Sequence, residues 1–252
     1  MQNRYIGDVG DYGKYSLLKH MSGNSERTFN LALGIVWFLV PDEAHNSDGM
    51  HTSYLNKTAF RPCDPKMYDA LRNIIAKGYR SVLSIRSSDI FPPHSVYVDA
   101  VLDYDGIVGQ KARLEHRQSW LENALAQTAE CDLVFLDPDN GFEVKSVPLH
   151  ARKGPKYVGW AEVGRFLERD QSLVVYHHLN RTASASFQIA EKLGEIRERF
   201  DFRPHPIPVL FRRGSLRVFF LFPSPRHTDI LTTRLKDMLA GPWAAHMEIF
   251  AP

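Results

Sequence analysis

Short apolar runs alternate with amphipathic segments along most of the chain. The apolar runs, bounded by polar turns, predict buried strands at residues 31–40, 81–85, 95–102, 133–136 and 172–176. In the segments between and after them, apolar residues recur every three or four positions, which predicts helices at residues 65–77, 112–129, 160–169, 183–200 and 228–240. Residues 206–211 and 217–222 flank a short polar turn and predict a β-hairpin. This order indicates an α/β fold with a mainly parallel twisted sheet, helices on both faces and an antiparallel C-terminal hairpin.

Length and composition fit one domain spanning residues 1–252. The chain has 44% hydrophobic and 24% charged residues and a formal net charge of +2, with no internal repeat and no linker. Its longest apolar run, residues 31–40, is too short to cross a bilayer, and the first residues do not resemble a signal peptide. Cys63 and Cys131 are far apart and outside any metal-ligand spacing. We therefore expect a cytoplasmic protein without a membrane partner and without a bound metal.

The polar turn after the strand at residues 133–136 is the first candidate for chemistry. Residues 137–142 read Asp-Pro-Asp-Asn-Gly-Phe, and ligands of open α/β sheets bind beyond the carboxyl ends of such strands. The strand at residues 172–176 is followed by two histidines. The alternative is a polar turn whose side chains bond only nearby backbone groups. We expect catalytic roles for Asp137, Asp139, Asn140, His177 and His178.

A second candidate lies near the start of the chain, where glycines and acids alternate before a lysine. Residues 7–14 read Gly-Asp-Val-Gly-Asp-Tyr-Gly-Lys. Asp11 would make a good N-cap, which predicts a short helix that starts there and carries Lys14 one turn inside. Since glycines let the backbone approach a ligand closely, we expect residues 1–25 to fold over the active face. The alternative is a flexible arm with a solvated lysine.

Basic residues in two loops predict contacts with phosphate groups. Lys153 and Lys156 follow the Asp-Pro-Asp turn, and Arg212 and Arg213 lie in the turn of the predicted hairpin. In an open α/β fold these loops rim one face, where cations can neutralise a nucleic-acid backbone. We therefore expect DNA or RNA as the partner, bound either by an enzyme or by a non-enzymatic module. The alternative for the first loop is an ordinary solvated loop.

The order of elements, with a hairpin as the last two strands, resembles the class I S-adenosylmethionine-dependent methyltransferases, which have a Rossmann-like fold. Residues 137–140 stand where methyltransferases of adenine or cytosine amino groups have an Asp/Asn-Pro-Pro-aromatic motif. Residues 8–15, in which Asp11 precedes Lys14 by three positions, look like the N-terminal segment of the bacterial ribosomal-RNA adenine-N6 methyltransferases. The element order covers most of the chain.

This resemblance implies methyl transfer from S-adenosylmethionine to an exocyclic amine of a base. The carboxylate of Asp137 and the carbonyl oxygen of Pro138 would accept the two amine hydrogens and draw the nitrogen towards tetrahedral geometry. An aromatic residue would stack on the flipped base. Position 140 is not aromatic, so this role falls to Phe142 or Tyr176. The cofactor-binding residues would be Asp11, Lys14, Asp42 and Glu43.

Two departures from the motifs support a different reaction. The loop after the first predicted strand has no glycine until Gly49, and Asp139 replaces the second proline. Both fit a cofactor-independent hydrolase that cuts an N-glycosidic bond, in weak resemblance to the uracil-DNA glycosylases. In that hydrolase Asp137 or Asp139 would orient a water, and His177 or His178 would stabilise the leaving base. Methyl transfer is the first prediction and base removal is the alternative.

A metal site is a third alternative. Its ligands would be the acids and histidines of residues 42–51, or Asp137, Asp139 and Glu143 together with His177. Carboxylates and imidazoles are ordinary ligands of divalent ions, but no spacing in either set is a metal signature.

Overall fold

A seven-stranded sheet forms the centre of the computed structural model, which describes residues 1–23, 30–44, 48–201, 204–213 and 216–251. The strands of this described part, in chain order, are β1 Leu33–Val36, β2 Val96–Val98, β3 Leu133–Leu136, β4 Gly141–Phe142, β5 Tyr157–Val158, β6 Ser172–His178, β7 Ile207–Phe211, β8 Arg217–Phe222 and β9 Met247–Ile249. The short strands β4 and β5 pair separately in a two-stranded sheet.

The strand order of the main sheet is β2-β1-β3-β6-β8-β7-β9. β1 is parallel to β2 and β3, and β3 is parallel to β6. β8 runs antiparallel to both β6 and β7, and β9 runs antiparallel to β7. The α/β class, the mostly parallel centre and the C-terminal hairpin are thereby confirmed, whereas β9 was not predicted.

Helices cover both faces of the sheet. They are α1 Val9–Ser22, α2 Pro65–Ala76, α3 Val82–Arg86, α4 Gln110–Gln127, α5 Trp160–Leu167, α6 Ala185–Arg199 and α7 Thr228–Ala240. Ile35 and Phe135 face one core with α1, α2 and α7, while Val36 and Leu136 face a second core with α4, α5 and α6. Burial on both faces explains why these strands are almost continuously apolar. Among the described helices, none has the length and apolar character that a membrane span requires.

Three of the predicted strands differ from the structure, and one of them, residues 95–102, is shortened to β2 Val96–Val98. Residues 81–85 form the start of helix α3 rather than a strand, because Ser81 caps the helix by accepting a hydrogen bond from the Leu83 backbone N–H at 3.2 Å. Val82 and Ile85 are buried while Leu83 is 46% exposed, which is a helical and not an alternating pattern. In residues 31–40, regular pairing is limited to β1, since Phe38 adopts a positive φ of 44°.

Helix α1 begins earlier than predicted. Asp8, not Asp11, is its N-cap and accepts hydrogen bonds from the backbone N–H groups of Gly10 and Asp11. The helix therefore contains Asp11 and Lys14 in its first two turns, with both side chains buried. Residues 24 and 25 of the predicted N-terminal segment lie outside the described residues.

Candidate active site

A cleft of about 640 Å³ lies where β3 and β6 end, between these strands and the start of α1. Crevices beyond the carboxyl ends of parallel strands are the usual ligand sites of open α/β sheets, and this volume lies within the range of small-molecule sites. Six of the residues predicted from the sequence line the cleft: Asp11, Lys14, Asp139, Asn140, Tyr176 and His178.

Lys14 joins the N-terminal helix to the end of β3. Its Nζ lies 2.7 Å from Oδ1 of Asp11 and 2.7 Å from Oδ2 of Asp137. Asp137 is only 3% exposed and does not line the cleft, because its carboxylate lies behind Lys14. The residue with the strongest sequence signal therefore has a buried lysine as its partner. Sequence reasoning placed this lysine at the cofactor end of the site and not against Asp137.

Two buried carboxylates share this one ammonium group. Burial alone would lower the pKa of Lys14, but Asp11 and Asp137 outweigh burial and raise that pKa well above its ordinary value. Burial raises the pKa of Asp11 to about 6; Lys14 offsets only part of this increase, and Asp8 adds to it. Near neutral pH, Lys14 is thus charged, and the pKa of Asp11 lies closer to neutrality than that of an ordinary aspartate.

Asp139 has the opposite protonation behaviour. Its Oδ2 accepts a hydrogen bond from Nε2 of Gln2 at 2.9 Å and lies 3.2 Å from Nζ of Lys156. Burial alone would raise the pKa of Asp139, but the Met1 amino group and Lys156 outweigh burial and hold that pKa below its ordinary value. Asp139 is therefore an ionised carboxylate in the same cleft as the protonatable Asp11.

The crevice between β1 and β3 is filled by the first two residues. The amino group of Met1 donates to the carbonyl oxygens of Phe38 at 3.1 Å and Asp137 at 3.2 Å, and the Val40 backbone N–H donates to the Met1 carbonyl oxygen at 2.9 Å. Met1 is 3% exposed and Gln2 is fully buried. An open sheet would bind a nucleoside cofactor at this point, where its strand order reverses. Met1 and Gln2 therefore occupy part of the position at which such a cofactor would bind.

The two histidines after Tyr176 point in opposite directions, because β6 continues through both. His178 lines the cleft, and its Nδ1 lies 3.3 Å from the Tyr176 hydroxyl oxygen. Nδ1 of His177 instead accepts a hydrogen bond from the Phe142 backbone N–H at 3.3 Å. Burial lowers the pKa of His177 to about 3 and also lowers the pKa of His178. His177 therefore packs against the β3–β4 turn and does not line the cleft.

Phe142 is a core residue rather than a stacking surface. It is fully buried, and its ring stacks on Trp160 with 4.5 Å between centroids. Pro138 is also buried and does not line the cleft. Of the two aromatics predicted to stack on a base, only Tyr176 reaches the cleft.

The predicted basic residues and the two acids after β1 lie outside the cleft lining. Arg212 pairs with Glu248, and Nε of Arg213 donates to Nδ1 of His246 at 2.6 Å, so the two arginines attach the hairpin to β9 and the segment before it. Lys153 is exposed. Asp42 accepts a hydrogen bond from the Arg4 backbone N–H at 3.1 Å. Glu43 lies 2.6 Å from Nζ of Lys156.

Sequence reasoning missed five further polar or aromatic residues of the lining: Tyr5, Asp8, Asn180, Arg181 and Arg217. Asp48 and His51, which the sequence suggested only as possible metal ligands, also line the cleft. Asn180 and Arg181 could have been inferred because they continue the histidine loop after β6. The position of Arg217 carried no such signal, since it is the first residue of an otherwise apolar strand. A Cβ atom on Gly10 would lie 2.2 Å from Nη1 of Arg217, so this glycine admits the guanidinium.

No group of three or more His, Cys, Asp or Glu side chains that could hold a metal ion occurs among the residues that the structure covers. His45 of the proposed metal loop, and Gly214 and Ser215 of the hairpin turn, lie outside them. In comparisons with family models, curated proteins and solved structures, the chain has no match.

Proposed function

We propose that the protein removes a base from DNA or RNA by hydrolysing the N-glycosidic bond without a cofactor. The observation that carries this proposal is a cleft lined by two carboxylates in different surroundings. Oδ1 of Asp11 lies 2.7 Å from Nζ of Lys14, whereas Oδ2 of Asp139 accepts a hydrogen bond from Nε2 of Gln2 at 2.9 Å and lies 3.2 Å from Nζ of Lys156. Burial raises the pKa of Asp11 to about 6, while the Met1 amino group and Lys156 outweigh burial and hold the pKa of Asp139 below its ordinary value. Such a pair supplies the general acid and the anionic partner that glycoside hydrolysis uses.

In the proposed reaction, Asp11 is the general acid, and Asp139 stabilises the sugar cation and is the general base. The bond from the sugar anomeric carbon to the base nitrogen breaks, and its electron pair goes to the base, which takes a proton from Asp11. Asp139 stabilises the positive charge that develops on the sugar and accepts a proton from the attacking water, whose oxygen bonds to the anomeric carbon. The products are the free base and a sugar hydroxyl at an abasic site. Asp139 then releases its proton to solvent, and solvent returns a proton to Asp11.

The cleft also supplies groups suited to a base and its sugar. Tyr5 and Tyr176 place aromatic rings in the lining, where they can stack on a flipped base. The side-chain amide of Asn140 can hydrogen-bond a base edge. Arg181 is exposed at the rim, where it can contact a phosphate group.

Methyl transfer to an exocyclic amine is the second candidate, and the sheet favours it. In the strand order β2-β1-β3-β6-β8-β7-β9, the hairpin places β8 antiparallel beside β6, which is compatible with the methyltransferase type of Rossmann-like fold, although β9 adds a further edge strand. Two contacts weigh against this activity: Met1 and Gln2 fill the crevice between β1 and β3, and Asp137 is bonded to Lys14. We therefore place base removal first.

The test is release of free base from a panel of oligonucleotides with normal and damaged bases, followed by chromatography with mass detection. We expect the wild type to release a base. Asp139→Asn and Asp11→Asn should each lose at least about 100-fold in rate, as is typical when an acid–base group is removed. Asp237→Asn, an exposed change on α7, is the matched control and should retain the rate. Methyl transfer from labelled S-adenosylmethionine without base release would overturn the proposal.

A further inference from the structure

We propose that Lys156 is a positioning residue that holds the Asp139 carboxylate in the cleft, a role that rests on the proposed function. Lys156 does not line the cleft. Its Nζ lies 3.2 Å from Oδ2 of Asp139 and 2.6 Å from Oε2 of Glu43. The lysine thus acts through Asp139 and links the end of β3 to the loop after β1.

The backbone fixes Lys156 against the turn that carries Asp139. The Asn140 backbone N–H donates to the Lys156 carbonyl oxygen at 2.9 Å, and the next residues pair as the two-stranded sheet of β4 and β5. With 16% of its side chain exposed, Lys156 is largely shielded from water. Shielding strengthens its interaction with the carboxylate compared with a surface ion pair.

Gln2 holds the same oxygen from the other side. Its Nε2 donates to Oδ2 of Asp139 at 2.9 Å, and its Oε1 accepts from the Glu43 backbone N–H at 2.9 Å. The Met1 amino group lies 3.9 Å from Oδ1 of Asp139. Among the described residues, the titratable or charged groups that act on Asp139 or respond to its charge include Lys156, the Met1 amino group, Glu43, Tyr5, Tyr176 and His178.

Removing the Lys156 ammonium should therefore make Asp139 easier to protonate. Lys156→Met keeps much of the aliphatic side chain and removes the charge. Lys145→Met, an exposed change in the preceding loop, is the matched control. Lys156→Arg keeps the charge and should restore most of the wild-type behaviour. The carboxyl ¹³C resonance of Asp139, assigned by its loss in Asp139→Asn, reports the titration directly.

We expect the Asp139 titration in Lys156→Met to move to higher pH by about one unit or more, and the acid limb of the rate of base release to move with it. Lys145→Met should leave both unchanged. An Asp139 midpoint that is the same in Lys156→Met and the wild type would overturn the proposal. If the wild type releases no base, the proposed function fails, while the ¹³C titration still decides whether Lys156 acts on Asp139. Circular dichroism shows whether Lys156→Met is still folded. Lys156→Arg, which keeps the charge, shows whether an effect of Lys156→Met comes from the lost charge.

Discussion

Lys14→Met is the substitution that most severely perturbs the site. It removes a buried ammonium that lies 2.7 Å from each of two carboxylates, those of Asp11 and Asp137. All three side chains are at most 5% exposed, so water cannot replace the lost partner. The variant must either bury two unpaired negative charges or protonate the carboxylates on folding.

The expected cost follows from this burial. Breaking a buried ion pair by removing one partner typically destabilises a protein by about 3–5 kcal/mol. Without Lys14, the pKa of Asp11 should rise further, because the ammonium no longer offsets its burial. A group whose pKa is raised in the folded state loses its stabilising effect as pH rises. The loss of unfolding free energy relative to wild type should therefore be largest at alkaline pH. As pH is lowered, this loss should shrink by about 1.4 kcal/mol per pH unit for each extra proton that the folded variant binds compared with the unfolded chain.

Urea denaturation at several pH values between 5 and 8, followed by circular dichroism, measures this difference. Lys236→Met, an exposed change on α7, is the matched control and should change the free energy of unfolding by less than about 0.5 kcal/mol. The double variant Lys14→Met/Asp137→Asn should be more stable than Lys14→Met, since it removes one of the two unpaired charges. A loss below about 1 kcal/mol with no pH dependence would refute the buried ion pair, because an exposed pair contributes no more than that.

Three further predictions concern packing and pH. Gly10→Ala should destabilise by about 1–3 kcal/mol and disturb the cleft, because its Cβ would lie 2.2 Å from Nη1 of Arg217. Gly194→Ala, at a helical position where an added Cβ would have nothing within 4 Å, should instead stabilise the protein by about 0.5–1 kcal/mol. Equal effects of the two substitutions would contradict the close approach of Arg217 to Gly10. Burial holds the pKa of His177 at about 3, whereas an unfolded histidine titrates near pH 6.5, so at pH 5 this group should cost about 2 kcal/mol of stability. His177→Gln should flatten the fall in unfolding free energy between pH 7 and pH 5, and an unchanged slope would argue against a neutral His177. Phe142→Ala should lower the free energy of unfolding, measured by urea denaturation, by about 3–5 kcal/mol, since the ring is fully buried. A near-neutral effect would contradict the burial of the Phe142 ring.

The fold could be predicted where periodicity and burial agree. Strands β3 and β6 have near-continuous apolar runs because the sheet is buried on both faces, and the hairpin has two such runs around a polar turn. Residues 81–85 were wrongly predicted as a strand because a five-residue helix is too short to show a helical period in the sequence. The N-cap hydrogen bond of Ser81 identifies the segment as a helix. Strand β9 is three residues long and only Glu248 in it is polar, so it carries almost no pattern of its own.

The site could be located from the sequence, but its pairings could not. Polar residues after two neighbouring parallel strands meet at one sheet edge, which brought Asp139, Asn140 and His178 into one cleft. The partner of Asp137 is 123 positions away in the chain, and no local pattern specifies that Lys14 reaches it. Phe142 looked like a binding residue because of its neighbours, but β4 turns its ring into the second core.

The proposed hydrolysis is tested most directly by the origin of the oxygen on the product sugar. An oligonucleotide substrate should be incubated with the protein in ¹⁸O-labelled water with no cofactor. The abasic product should be reduced at once with borohydride and analysed by mass spectrometry. The proposed mechanism predicts one ¹⁸O atom at the anomeric position, formed by the wild type and not by Asp139→Asn. A product that carries a new methyl group and an intact N-glycosidic bond, formed only with S-adenosylmethionine, would contradict it.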